Sequence, residues 1–288
     1  MAEKVFINDE LVDIDKARIS VTDSGFLYGA GLFETMRSRN GVVFALRDHL
    51  DRLFFSAASL SIDVSYDRGY ITDAIYEVLR ANELTAARLR LTLTNGPMTE
   101  SEQQRKPTLL ITATQLRPYP PEYYSKGVLV VLCPYRQNPY EPTYGHKTTS
   151  YFSRMIALNL AHQKRAAEAL WFTVDSRLAE GCVSNVFLVK GSVLYTPPIE
   201  TPVLAGVARK TVCQMAFAES IEFVEKALSI DDVLGADEIL LTNVIMEVMP
   251  VVRVEQHAVG QGNVGPMAKR LKARFDELIE KECQPSKS

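Results

Sequence analysis

Three prolines within four residues, Pro118, Pro120 and Pro121, constrain the fold of this 288-residue chain more than any other local feature. A proline ring fixes φ and removes a backbone donor, so such a run belongs neither to a helix interior nor to a central strand. Strand and helix patterns alternate on both sides of it. The sequence therefore predicts a smaller N-terminal α/β domain at 1–117, a linker at 118–127 and a larger C-terminal domain at 128–288.

Local patterns predict the main elements of both parts. Asn40-Gly41 lies between two apolar runs, which is the strongest short signal for a β-hairpin. Apolar residues at helical spacing predict helices over 48–60, 67–81 and 151–167, and an amphipathic helix over 266–281.

Composition excludes several classes of function. The net charge is −3 and no basic block stands out, so a nucleic-acid partner is not expected. The longest uncharged apolar stretch, 128–134, is too short to span a bilayer, and the first residues have no apolar signal-peptide core. We therefore expect no membrane partner and a cytoplasmic location. The four cysteines and four histidines lack the spacing of a metal site, so no metal is expected.

One lysine, one glutamate and two turns, in that order, indicate the chemistry. Lys147 follows a proline-containing loop, and Glu180 comes 33 residues later. A lysine amine can hold pyridoxal 5′-phosphate as a Schiff base, and a carboxylate can keep the pyridine nitrogen of that cofactor protonated. The turns that begin at Gly206 and Thr242 could offer backbone N–H groups to its phosphate. The pattern suits a pyridoxal phosphate enzyme.

The order of these motifs resembles the class IV, or fold type IV, aminotransferase family. That family includes branched-chain aminotransferases, D-amino acid aminotransferases, (R)-selective amine transaminases and 4-amino-4-deoxychorismate lyases. The resemblance extends from about residue 4 to about residue 280. It implies the fold type IV architecture, an α/β (α+β) fold in which two domains hold pyridoxal 5′-phosphate at their interface. It also implies a homodimer, with residues near Tyr28 to Arg37 close to the partner's site.

The same resemblance assigns the cofactor residues. Lys147 matches the catalytic Schiff-base lysine, and Glu180 matches the partner of the pyridine nitrogen. Arg52 matches the phosphate-binding arginine, with Arg47 as its rival, and Tyr151 resembles the tyrosine that hydrogen-bonds the cofactor 3′-oxygen. The remaining phosphate contacts are expected from two turns, Gly206, Val207 and Ala208, and Thr242, Asn243 and Val244.

The substrate residues are Tyr28, Phe33, Thr35, Arg37 and Arg90. Tyr28, Phe33 and Arg37 match the branched-chain subgroup, and Arg90 lies where that subgroup has an arginine and the lyases have a basic residue. Thr35 and the stretch 242–250 look lyase-like, whereas 99–105 lacks the arginine pattern of some lyases. Asn95 replaces the arginine that binds the α-carboxylate in typical D-amino acid aminotransferases.

The resemblance therefore implies a transaminase that uses a 2-oxo acid as acceptor and a branched-chain-like amino acid or an (R)-amine as donor. The alternative is a 4-amino-4-deoxychorismate lyase, which releases pyruvate and 4-aminobenzoate. A hypothesis of another class is a non-catalytic binding protein on the same fold, against which the intact pair of Lys147 and Glu180 argues.

Overall fold

The computed structural model describes residues 3–98 and 106–285, so the stretch 99–105 discussed above lies outside the described residues. Contacts divide the chain into two compact units. Unit 1 comprises Met1–Arg117, His146–Tyr151 and Ile279–Ser288, and unit 2 comprises Pro118–Gly145 and Phe152–Leu278. The segment that carries Lys147 and the last residues of the chain, which the sequence placed in the second domain, are thus grouped with unit 1 by their contacts.

Unit 1 is a sheet covered on one face by two helices. Its described strands follow the order β2-β1-β6-β5-β3-β4. Its elements are β1 (Lys4–Ile7), β2 (Glu10–Asp13), α1 (Ser24–Tyr28), β3 (Gly31–Arg39), β4 (Val42–Val43), α2 (Leu46–Ser59), α3 (Arg68–Ala81), β5 (Ala87–Thr94) and β6 (Thr108–Gln115).

Alternation along β5 shows how this sheet is built. Leu89, Leu91 and Leu93 are fully buried in the core that α2 and α3 share with the sheet. Arg88 and Arg90, which precede Leu89 and Leu91, point to the opposite face because successive side chains of a strand alternate. The hairpin predicted at Asn40-Gly41 joins β3 to β4, and both of its residues have positive φ. The face of the sheet that bears the arginines is therefore the one that the two helices leave uncovered.

Unit 2 contains a larger mixed sheet, whose described strands run β12-β11-β10-β13-β14-β7-β8-β9, with β15 beside β14. Its elements are α4 (Pro121–Lys126), β7 (Val128–Gln137), α5 (Phe152–Gln163), β8 (Glu168–Thr173), β9 (Leu178–Gly181), β10 (Asn185–Lys190), β11 (Val193–Thr196), α6 (Val207–Ala218), β12 (Phe223–Glu225), α7 (Ile230–Leu234), β13 (Glu238–Asn243), β14 (Glu247–Val254), β15 (His257–Ala258) and most of α8 (Pro266–Glu282), whose residues from Ile279 onward are grouped with unit 1.

Two sequence predictions need correction here. The helix predicted over 151–167 ends at Gln163, because Arg165 has φ of 58° and the chain then enters the buried strand β8. The proline-rich stretch is not wholly a linker, since Pro121 begins α4, and a helix tolerates proline at its first position. Among the described residues, no helix is both long enough and apolar enough to cross a membrane.

Candidate active site

Lys147 is held in unit 1 by main-chain hydrogen bonds to β3. Its carbonyl oxygen accepts the N–H of Phe33 at 2.8 Å, and the N–H of Thr149 donates to the oxygen of Gly31 at 2.8 Å. Leu32 and Thr148 form a β-bridge between these two bonds. The backbone around Lys147 is therefore fixed without any contribution from its own side chain.

The side chain of Lys147 lies over an aromatic pair. Its Nζ is 4.4 Å from the ring centroid of Phe33 and 5.8 Å from that of Tyr151. The two rings meet edge to face, with centroids 5.3 Å apart. The Arg90 guanidinium is also 4.0 Å from the Phe33 centroid. The structure thus brings together four residues that the sequence assigned to the cofactor and the substrate.

Arg52 of α2 is held by a buried carboxylate of β3. Its Nε donates to Glu34 Oε1 at 2.8 Å and its Nη2 to Glu34 Oε2 at 2.5 Å. His49, one turn earlier, has Nδ1 2.7 Å from the same Oε2. The rival Arg47 is 93% exposed and lies 3.8 Å from Asp51. Arg52 is therefore the buried, oriented arginine of this helix, and Arg47 is a surface residue.

Charges in this cluster shift both titrating groups. Burial alone would raise the pKa of Glu34, but the charge of Arg52 and the hydrogen bond from His49 hold it at about 2. Burial lowers the pKa of His49; the Glu34 carboxylate opposes this shift, but the charges of Arg52 and Lys147 reinforce it, and the net direction is downward. Glu34 is thus ionised and His49 is neutral at pH 7.

The other predicted substrate residues lie at different levels of exposure in unit 1. Tyr28 ends α1 and is 71% exposed. Thr35 is half-buried and pairs with Arg90 across β3 and β5. Arg37 is half-buried and pairs with Arg88 in the same register. Burial raises the pKa of the Cys283 thiol, and the nearby charge of Arg37 offsets part of that rise. Thr35, but not Tyr28, is therefore a direct cross-strand neighbour of Arg90.

Glu180 of β9 has a guanidinium partner in unit 2. Its carboxylate is buried, and Oε1 accepts from Arg154 Nη2 at 2.5 Å. Arg154 also donates to the carbonyl oxygen of Gly181 at 3.0 Å. Glu180 Oε2 accepts the N–H of Leu204 at 3.0 Å. A carboxylate held in this way on two sides has a fixed orientation and is matched by a nearby positive charge.

The loop before α6 is tied to the same carboxylate. Asn185 Nδ2 donates to the oxygen of Leu204 at 2.9 Å, and a Cβ added at Gly206 would lie 1.9 Å from Asn185 Oδ1. A larger residue at the start of this helix would displace the Asn185 side chain from its hydrogen bonds. Val207 and Ala208 are buried in the first turn, and Gly206 at the N-cap has no side chain with which to cap it. First-turn N–H groups have no partner within the helix, so this end suits an anion.

The turn between β13 and β14 contains one buried hydroxyl that lacks a partner. Thr242 is 1% exposed, and its Oγ1 has no hydrogen bond within residues 3–98 and 106–285. The side chain of Asn243 accepts from the N–H groups of Ile245 and Met246 and donates to the oxygen of Val183. Asn243 therefore shapes the turn, and Thr242, rather than Asn243, has a side-chain donor to offer to a ligand.

Three residues with close contacts to the predicted site were missed from the sequence: Glu34, His49 and Arg154. Glu34 had a detectable signal, because it lies on the inward face of β3 between the buried Leu32 and Met36 and so requires a positive partner. The spacing of His49 and Arg52 by three residues on one helix indicated the same pairing. Nothing in the local pattern of α5 distinguished Arg154.

Comparison with known proteins identifies the family of this chain. The family model for class IV amino-transferases matches residues 31–254. A protein of Methanocaldococcus jannaschii, provisionally named a branched-chain-amino-acid aminotransferase, is 34% identical over 96% of this chain and 97% of its own length. The aminodeoxychorismate lyase of Bacillus subtilis is 30% identical over 97% of this chain and 94% of its own.

A solved structure shows the same fold. The branched-chain amino acid aminotransferase of Escherichia coli superposes with a TM-score of 0.92 at 27% identity, covering 100% of this chain and 98% of that one. Since the family model covers well over half of the chain and the relatives span nearly all of it, this chain belongs to the class IV aminotransferases, a family of pyridoxal phosphate-dependent enzymes.

Proposed function

We propose that this protein is a transaminase that moves an amino group from a branched-chain-like amino acid or an (R)-amine to a 2-oxo acid. Membership of the family supports the reaction type, and the likeness to two proteins named as branched-chain aminotransferases supports the substrate class. The observation that carries the proposal is the position of Lys147, which is fixed by β3 and lies against Phe33 and Tyr151.

The residues present fit pyridoxal 5′-phosphate. Lys147 is the proposed point of attachment, Glu180 the proposed partner of the pyridine nitrogen, and Tyr151 the proposed partner of the 3′-oxygen. For the phosphate we propose the Arg52 guanidinium, the first-turn N–H groups of α6 and the partnerless hydroxyl of Thr242. Val244 and Asn243 would contribute through the backbone of their turn. When bound, the cofactor supplies an aldehyde that reacts with amines and a ring that accepts electrons from the substrate Cα.

Three residues of the chain then have distinct roles in the reaction. The Lys147 amine moves a proton to and from the substrate Cα, which is a general acid–base step. The Glu180 carboxylate, oriented by Arg154 and the N–H of Leu204, keeps a proton on the pyridine nitrogen. The ring of Phe33 packs beside the reacting lysine and limits the access of water to it.

For the substrate, we propose the uncovered face of β3 and β5. Arg90 offers a guanidinium for a carboxylate, and the Phe33 ring offers an apolar surface next to it. Thr35 is the cross-strand neighbour of Arg90 and so adjusts the size and polarity of this surface. Tyr28 and Arg37 are proposed to contribute from either side.

The direct test is attachment of the cofactor. After incubation with pyridoxal 5′-phosphate and borohydride reduction, mass spectrometry should find the adduct on Lys147, and Lys147→Ala should lose both the adduct and turnover. The matched control is Lys164→Ala, whose side chain is 61% exposed and which should behave as wild type. An active Lys147→Ala protein without added amine would contradict the proposal.

A second candidate, the 4-amino-4-deoxychorismate lyase reaction, is favoured by the 30% identity with the Bacillus subtilis lyase and by Thr35. In the transaminase, Thr35→Gly should shift donor preference and keep activity. In the lyase, the hydroxyl would assist proton transfer, so its loss should cost about 10²–10⁴-fold. Wild-type protein that releases pyruvate and 4-aminobenzoate quickly, with only a trace of amino transfer, would establish the lyase instead.

We also propose that the protein works as a homodimer, as the family resemblance implies. Val21, Phe26 and Tyr28 of unit 1 are 77%, 74% and 71% exposed, and they form an apolar segment that a second copy could cover. Light scattering should give twice the chain mass of 32.2 kDa. The cytoplasmic location stays a prediction.

A further inference from the structure

Glu34, His49 and Arg52 form a buried hydrogen-bonded cluster between β3 and α2 of unit 1. The side chains of Glu34 and His49 are each 1% exposed, and that of Arg52 is 10% exposed. His49 and Arg52 are three residues apart on α2, so both face β3 and both reach the same carboxylate. One buried glutamate therefore binds the arginine and the histidine together.

The contacts fix the plane of the Arg52 guanidinium. A guanidinium has five N–H donors in a rigid fork, and Glu34 takes the edge formed by Nε and Nη2. Because the guanidinium is planar, holding it along the edge formed by Nε and Nη2 also fixes the direction in which Nη1 points. A lysine could not be held in this way, because its ammonium is a point charge without a fork.

His49 serves as a neutral donor to the carboxylate. With Glu34 ionised and His49 neutral, the Nδ1–H of the imidazole donates to Glu34 Oε2. Its Nε2 is buried and has no hydrogen-bond partner in the described part of the chain, as the unprotonated nitrogen of that tautomer allows. Glu34 and Arg52 cancel in charge, and a neutral His49 adds none. The cluster therefore contributes direction rather than net attraction for an anion.

We propose that His49 is a positioning residue: it holds Glu34, and Glu34 in turn sets the Arg52 guanidinium so that its outer edge meets the phosphate of pyridoxal 5′-phosphate. This inference rests on the proposed function, in which Arg52 binds that phosphate.

A double-mutant cycle on the cofactor-free protein separates positioning from stability. Pyridoxamine 5′-phosphate, which needs no reaction with Lys147, is titrated by calorimetry into wild type, His49→Leu, Arg52→Ala and the double variant. His49→Leu should weaken binding about tenfold in the wild-type background and less than about twofold when Arg52 is already absent. His49→Asn, whose amide can donate from the position of Nδ1, should recover most of the affinity. The exposed His162→Gln is the matched control and should bind as wild type.

Equal losses in both backgrounds, or no loss in either, would overturn the positioning role. Arg52→Lys gives an independent route that leaves His49 unchanged: it keeps the charge but loses the fork, so its affinity should fall close to that of Arg52→Ala. Wild-type affinity in Arg52→Lys would also overturn the inference. A wild-type protein that does not bind the phosphate compound at all would overturn the proposed function, and this inference with it.

Discussion

Each unit pairs its predicted cofactor-binding charge with a charge of opposite sign, but the cofactor-binding group is a cation in unit 1 and an anion in unit 2. In unit 1 the proposed phosphate-binding group is the Arg52 cation, and the buried Glu34 carboxylate pairs with it. In unit 2 the proposed partner of the pyridine nitrogen is the Glu180 carboxylate, and the Arg154 cation pairs with it. Each charge is thus neutralised inside its own unit before any ligand is considered.

The difference between the two pairs lies in their burial and in their third partner. The side chains of Glu34 and Arg52 are 1% and 10% exposed, against 5% and 13% for Glu180 and Arg154. The third partner of Glu34 is the imidazole of His49, whereas Glu180 accepts from the backbone N–H of Leu204 at 3.0 Å and, at 3.4 Å, from Asn185 Nδ2. Mutation can remove the imidazole of His49 but not the N–H of Leu204, so the carboxylate of unit 1 is the more vulnerable of the two.

The largest effect is expected when the carboxylate of unit 1 is removed. Glu34→Ala leaves Arg52 buried without its counter-charge, which should lower the free energy of unfolding by about 3–5 kcal/mol. Glu180→Ala should cost less, because Arg154 keeps the carbonyl oxygen of Gly181 as an acceptor. Urea titration of both variants would measure the difference. Asp51→Ala is the control, since this half-exposed carboxylate should contribute at most about 1 kcal/mol. A Glu34 variant as stable as the Asp51 variant would break the comparison.

Acid should remove the contribution of Glu34 selectively. Its pKa is held at about 2, below the usual 4.5, so its stabilising effect is complete above pH 4.5 and is lost as the pH falls towards 2. One pKa unit corresponds to about 1.4 kcal/mol, so the loss should be on the order of 3 kcal/mol. The gap in unfolding free energy between wild type and Glu34→Gln should therefore narrow across that range. A gap that stays constant from pH 5 to pH 2.5 would show that Glu34 is not held ionised.

A smaller effect is expected when the cation of unit 2 is removed. Arg154→Met keeps the aliphatic volume but leaves Glu180 with the N–H of Leu204 as its closest donor, and a lost hydrogen bond to a charged group costs about 1.5–3 kcal/mol. Thermal unfolding of the cofactor-free protein would measure it. Arg177→Met is matched in chemistry but more than half exposed, and should cost at most about 1 kcal/mol. Equal losses for the two variants would mean that Arg154 is only a surface charge.

The sequence predicted the elements that follow from short-range rules. Asn40-Gly41 formed the expected hairpin because its two positive φ values are local properties of those residues. The helices α2, α3 and α8 lie where apolar spacing predicted them, and the class IV family and its fold were confirmed.

What the sequence could not provide depends on contacts between distant residues. The grouping of 146–151 with unit 1 results from hydrogen bonds to β3, which no local pattern encodes. The pairing of Arg154 with Glu180 joins a helix to a strand 26 residues away. The hydrogen bonds that occupy the side chain of Asn243 required knowledge of the turn geometry.

The main-chain pairing that holds Lys147 against β3 has a consequence for the order of events during synthesis. The β-bridge between Leu32 and Thr148 joins residues more than a hundred positions apart, so it can form only after β4, β5, β6 and β7 have been synthesised. Closing so long a loop is entropically costly and slow compared with forming the local hairpin at Asn40-Gly41. Lys147 is therefore brought to β3 late in synthesis, after the sheet that receives it has been translated.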